Sequence, residues 1–177
     1  MLKFSGKGEI SMRDRYWAMF CDLKYKERYY WHYQIRARRI NGLITGICLL
    51  TFSASVANCF IWQHIPIVWS LLIISAQAIQ VLKPLFPFSK QIDSLKFLIP
   101  AIDKLIIDVD YSWNQTHQQD EKQISKLIKK YESQYIDLNN QFINEVYFPV
   151  IKNCEDKAQT DTINFFYQRY HVKPKEE

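Results

Sequence analysis

From Ile40 to Leu82 the chain has no Asp, Glu, Lys or Arg, so all 23 basic and all 18 acidic residues lie in the two flanks. An uncharged stretch of that length, buried at the centre of a soluble bundle, would need far more amphipathic helix around it than the flanks supply. A membrane suits the stretch better than that arrangement does. Glycine is also scarce, with four residues in the chain, and no glycine-rich phosphate loop can be written from Gly6, Gly8, Gly42 and Gly46. There is no His-Glu-x-x-His pair, and no Ser or Cys lies in a nucleophile motif. Cys21, Cys48, Cys59 and Cys154 lack metal-ligand spacing and read as small apolar fillers. The first apolar run starts only after some forty residues, without a small-residue cleavage site, so no signal peptide is expected. Neither an enzyme nor a cofactor or metal site is implied.

What is present is a membrane pattern. The uncharged tract divides at Gln63-His64, with Pro66 just beyond, into segments 41–62 and 65–85. At 1.5 Å per residue each can cross a hydrocarbon core of about 30 Å. The apolar residues of the first segment favour insertion by about 3–5 kcal/mol, an advantage that Asn58 and the hydroxyl residues erode. The second is richer in Ile, Leu and Val. Orientation follows from the basic residues: Arg36, Arg38 and Arg39 precede the first segment, Lys83 lies at the far end of the second with Lys90 beyond it, and the turn holds only His64. The hairpin is therefore expected to lie in a membrane with both termini cytoplasmic. On that topology the Asn114-Gln115-Thr116 sequon never meets a glycosylating compartment.

The expected fold class is an all-α membrane protein with three parts: a basic, aromatic juxtamembrane helix in 1–39, the hairpin in 40–86, and a cytosolic helical, coiled-coil-like domain in 87–177. Trp17, Phe20, Leu23, Tyr30 and Ile35 fall at helical spacing in the first part. A helix from Ser89 to Asn114, with Pro100 inside it, opens the last part. After a polar turn, Ile124, Ile128, Tyr131, Tyr135, Leu138 and Phe142 repeat at spacings of three and four, the pattern of a helix packed lengthwise against another and an expected oligomer seam. A final amphipathic segment spans Asp161 to Tyr170.

Several polar and small residues invite functional readings. Residues 1–39 carry ten Lys/Arg against four acids, and Arg28 to Arg39 interleave bases with aromatics. Beside a membrane this reads as an anionic-lipid anchor centred on Arg36, Arg38, Arg39 and Lys83, rather than as a nucleic-acid surface. Gly42, Gly46, Ser53 and Ala57 form a small-residue stripe for close packing, within one hairpin or between copies. Asn58, Gln77 and Gln80 are expensive against lipid and should face protein or water, either as interhelical hydrogen-bond partners or as a polar path. Asp103, Asp108, Asp110 and Glu121 supply carboxylates without a catalytic motif, and the metal-like pair Asp108 and Asp110 reads as a solvated helix face.

The basic aromatic helix ending in Tyr33-Gln34-Ile35-Arg36-Ala37-Arg38-Arg39, the tight hairpin, and the helix from Gln91-Ile92-Asp93-Ser94-Leu95-Lys96 to Trp113 together resemble the SLATT family. These are two-transmembrane effector domains of bacterial conflict systems, and the resemblance covers residues 12 to 145. It implies a membrane-disrupting or pore-forming effector of antiphage defence and abortive infection, working as a homo-oligomer. Its trigger would be a neighbour-encoded nucleotidyltransferase, reverse transcriptase or nucleotide sensor. The alternative is a non-conducting membrane anchor or scaffold that recruits a cytosolic partner.

Overall fold

The computed structural model describes residues 11–52, 67, 70, 71, 74, 75, 77, 78, 81, 88–143 and 147–171. Among them every regular element is helical. In order these are α1 (Met12–Phe52), α2 (Phe88–Gln115), a 3-10 turn (Thr116–Gln118), α3 (Glu121–Phe142) and α4 (Lys152–Tyr170). The chain divides into two compact units, the first drawn from Met1–His32 and Ser94–Glu177 and the second from Tyr33–Asp93. The described residues of α1 up to His32 thus belong with the C-terminal helices in one unit.

The helices follow from local chemistry. In α1, Tyr16, Phe20, Leu23 and Glu27 are buried at steps of four, three and four, one face of a helix. The helix continues without a break through Asn41, Gly42 and Gly46 to Phe52, because each Gly costs only about 1 kcal/mol and no Pro intervenes. In α2 the buried apolar set is Leu95, Leu98, Ile99, Ile102, Leu105, Ile106 and Val109. Asp120 starts α3 with a capping box: its carboxylate accepts from the Gln123 backbone, and the Gln123 side chain accepts from the Asp120 N–H. α4 begins at Lys152, well before the expected Asp161. Its first turns are buried through Cys154, Ala158 and Thr162, small or polar residues that hydropathy does not mark.

Aromatic rings from all four helices meet in the core of the first unit. Trp17 lies 5.0 Å from Trp113, 4.9 Å from Phe166 and 5.2 Å from Tyr170. Phe20 meets Phe166 edge-on at 5.0 Å. Tyr16 stacks on Trp113 at 5.8 Å and meets Tyr131 edge-on at 6.2 Å. Such tilted and edge-on geometries suit the ring quadrupole.

In the second unit, Tyr33 and Ala37 are buried. The Tyr33 hydroxyl donates to Gln91 Oε1 at 2.8 Å, and Gln34 Nε2 donates to the Ile92 carbonyl at 3.3 Å. Residues 67, 70, 71, 74, 75, 77, 78 and 81 are helical. No helix among the described residues is long and apolar enough to cross a membrane. The apolar end of α1, Ile40 to Phe52, rises only about 20 Å against a hydrocarbon core of roughly 30 Å.

Phe20 is fully buried among Trp17, Phe166 and Tyr170. Phe20→Ala should therefore destabilise the first unit by about 3–5 kcal/mol. Thermal melting of the detergent-solubilised protein, followed by helical circular dichroism, should show the loss as an earlier transition.

Candidate functional site

Of the expected packing stripe, Gly42 and Gly46 lie on α1, whereas Ser53 and Ala57 lie outside the described residues. A methyl group placed on either glycine meets nothing within 4 Å, so among the described residues no helix approaches closely there. Of the polar path, Gln77 is helical and exposed, and Asn58 and Gln80 fall outside the described residues. Arg36, Arg38 and Arg39 are exposed on α1, and Lys83 is outside the described set. Two hydroxyl groups in the apolar tract bond back to their own helix: Thr45 to the Asn41 carbonyl at 2.8 Å and Ser75 to the Leu71 carbonyl at 2.7 Å.

The aromatic part of the basic helix is largely turned to structural use. Tyr29 donates to the Pro149 carbonyl at 2.9 Å and accepts from the Ile151 N–H at 3.3 Å, fixing the chain just before α4. His32 sits 2.9 Å from Asp161, and Tyr30 lies edge-on to Phe148 at 5.8 Å. Rings held this way are not free to stack on bases. Trp31 remains partly exposed.

The expected oligomer seam on α3 is placed inside its own unit. Ile124, Ile128 and Tyr131 are buried, and Tyr135, Leu138 and Phe142 are half-buried. The Tyr131 hydroxyl lies 2.6 Å from Ser112 Oγ and 3.2 Å from the Asp108 carbonyl. Lys26 covers the Tyr135 ring, and Phe142 stacks on Phe97 at 6.4 Å. The three-and-four spacing records packing within the chain, and the buried members have no surface left for a second copy.

Sequence reasoning missed two ionic groups in this unit. Lys24 and Glu27 are both buried, with Nζ 2.8 Å from Oε2. Arg28 Nε approaches the same oxygen at 3.2 Å, yet neither contact is aligned as a hydrogen bond, so the attraction is ionic. Lys24 also lies over the Phe165 ring at 4.7 Å and 3.8 Å from Asp103. The signal was present in the sequence: Lys24 and Glu27 share a helical face with Tyr16, Phe20 and Leu23.

The second group corrects the reading of Asp110 as solvated. It is buried and accepts from Arg169 and Tyr170, which clamps the last turn of α4 to α2. The Asp110 carboxylate holds the Arg169 guanidinium above its usual range. Asp108, two residues earlier on the helix, is exposed, so the two acids do not form a pair.

A cleft of about 540 Å³ opens between α1 and α3, floored by Ala18, Met19, Leu23 and Ile136. Its rim alternates in sign through Arg15, Asp22, Lys26 and Glu132, so it offers no net field to select an ion. Burial pushes the Cys21 thiol up to about 12, which makes it a poor nucleophile.

Comparison with known proteins yields no match: no family model fits the sequence, and neither a curated protein nor a solved structure matches it. Function has to be argued from the chain's own chemistry.

Two predictions follow from the polar core. Glu27→Gln leaves the buried Lys24 with only the more distant Asp103 carboxylate and should cost up to about 3–5 kcal/mol, whereas the double change Lys24→Met with Glu27→Leu should recover most of it. Matched thermal melts of the two variants measure the difference. Burial also raises the phenol groups of Tyr16, Tyr30 and Tyr170 above their ordinary value. Each folded value exceeds the unfolded one, so their contribution is fully present below about pH 10 and is lost as pH rises beyond it. Tyrosinate absorbance and helical signal should change together in that alkaline window, and a gradual phenol titration with the helices intact would contradict this.

Proposed function

We propose that the chain is a membrane effector of a bacterial antiphage defence system, related in architecture to the SLATT domains. Segments 41–62 and 65–85 form a transmembrane hairpin in the inner membrane, with both termini cytoplasmic. On a signal from a partner or nucleotide the protein assembles and depolarises the membrane.

The observation that carries this reading is the exposure of apolar side chains along the uncharged tract. Leu43, Leu49, Ile67, Leu71, Ile74 and Val81 are all helical and between 59% and 74% exposed. Leaving such side chains in water forfeits roughly 1.5–3 kcal/mol each relative to burial, so an apolar medium is the environment that suits them. Ile67, Leu71, Ile74, Ala78 and Val81 recur on one helical face, all exposed. The back-bonded hydroxyls of Thr45 and Ser75 fit the same medium, in which polar groups must find partners within the protein. Arg36, Arg38 and Arg39, exposed just before the tract, suit a cytoplasmic anionic surface.

The test joins topology to conductance. Reporters fused at Gln63-His64 should appear outside the cytoplasm and those at the termini inside. Expressed with its genomic neighbours under phage challenge, the wild type should collapse a membrane-potential dye signal. Replacing Asn58, Gln77 and Gln80 with Leu should preserve insertion and reduce the leak. Because the space beside Gly46 is open within the described chain, Gly46→Leu should leave stability unchanged and act only where copies pack, abolishing the leak. A potential that no version collapses would leave the anchor as the function.

A further inference from the structure

The outer face of α3 carries charge of one sign only. From Lys122 to Tyr131 the helix holds four lysines and no acid. Ile124, Ile128 and Tyr131 turn to the core, so Lys122, Lys126, Lys129 and Ser133, at steps of four, three and four, fall on the far side with Lys130 beside them. All five are exposed, and among the described residues none of the four lysines has a carboxylate within ion-pair reach. This arrangement costs the fold stability. Lys122 with Lys126, Lys126 with Lys129 and Lys126 with Lys130 are like-charged neighbours three or four residues apart, which repel. Lys122 also stands in the first turn, where the helix macrodipole favours an anion. Apart from Lys130, whose Nζ lies 5.3 Å from the Tyr131 ring centroid, the lysines make no contact that offsets this repulsion; an anion laid along the face would.

We propose that this face binds the phosphate backbone of a nucleic acid, through charge alone and at a place separate from the basic residues of α1. The absence of apolar side chains selects this occupant. A helix that lies on lipid sets aromatic and aliphatic residues into the interface beside its lysines, and a docking helix needs apolar anchors. Positions 122, 125, 126, 129, 130 and 133 hold only Lys and Ser, and the apolar side of α3 is already buried in its own unit. A phosphodiester backbone needs no apolar partner, because its affinity comes from the counterions released as lysines neutralise phosphates. The row from Lys122 to Lys130 rises about 12 Å along α3, a length over which duplex DNA carries about seven charges, more than the four lysines neutralise. The face has no arginine fork and no open ring, so it reads neither base edges nor stacked bases. This inference goes beyond the effector reading and stands without it.

The experiment titrates the full chain, in a neutral detergent, into a short fluorescein-labelled DNA duplex and reads anisotropy at several salt concentrations. Four neutralised phosphates give a slope of log affinity on log salt of about −3 to −4, so affinity should fall about a hundredfold between 50 and 200 mM salt. A second duplex of unrelated sequence should bind alike. Lys126→Gln and Lys129→Gln should each make the slope shallower by about 1 and weaken both duplexes equally. Each change removes like-charge repulsion, so helical content should hold and the melting temperature should not fall. Lys96→Gln and Lys104→Gln, at exposed lysines of α2, should leave the slope as it was. Three results would overturn the proposal. One is no duplex binding at the lowest salt. Another is a slope that follows Arg36→Gln, Arg38→Gln and Arg39→Gln instead of the α3 variants. The third is capture by phosphatidylglycerol micelles or polyglutamate that depends on the α3 lysines, with no binding to DNA.

Discussion

The first unit depends on one cluster of rings. Tyr16, Trp17 and Phe20 of α1, Trp113 of α2, Tyr131 of α3, and Phe166 and Tyr170 of α4 contact one another as a connected group. Large aromatic side chains supply most of the burial a small helical unit needs, and their preferred tilts limit how the helices can rotate. The phenol oxygens at the edge of the cluster then fix axial position. Tyr16 reaches the Val109 carbonyl at 2.8 Å, and Tyr131 reaches Ser112 and the Asp108 carbonyl. A helix that slid by one turn would lose these bonds while keeping much of its apolar contact.

Ionic groups at the edge of this core make the fit more selective. Burying Lys24 with Glu27 brings desolvation that their attraction offsets only in a narrow geometry, so the pair penalises other helix arrangements more than it stabilises this one. The Asp110 clamp acts similarly on the last turn of α4. α4 needs it, since its buried side chains other than Phe166 are small: Cys154, Ala158 and Thr162.

Much of the helical pattern was legible because it rests on spacing. α2 was expected over Ser89 to Asn114 and spans Phe88–Gln115, and the polar turn before α3 holds the Asp120 capping box. What the spacing could not supply was the partner. The periodic face of α3 looked alike whether it met α2 or a second copy, and only the placement of Tyr131 and Phe142 decides for the same chain. Asp110 was read as solvated by residue type and Lys24 and Glu27 drew no reading at all, although their helical positions put all three with the core. The start of α4 was illegible for a different reason: its buried residues carry little hydropathy, and neighbouring helices rather than propensity hold it. The small-residue stripe and the polar path remain, for the most part, in segments beyond the described residues.

The first unit is assembled from two pieces separated in sequence by the uncharged tract. Trp17 leaves the ribosome long before Phe166 and Tyr170, its partners in the ring cluster. At 5–20 residues per second the interval is on the order of ten seconds. During that time the face of α1 formed by Tyr16, Trp17 and Phe20 has no final partner, and the uncharged tract emerges before any can form. The uncharged tract is therefore fully synthesised before the ring cluster can close. The order of synthesis thus holds the aromatic face of α1 open until the last helix emerges, so its exposure time is set by the length of chain between the two pieces of the unit.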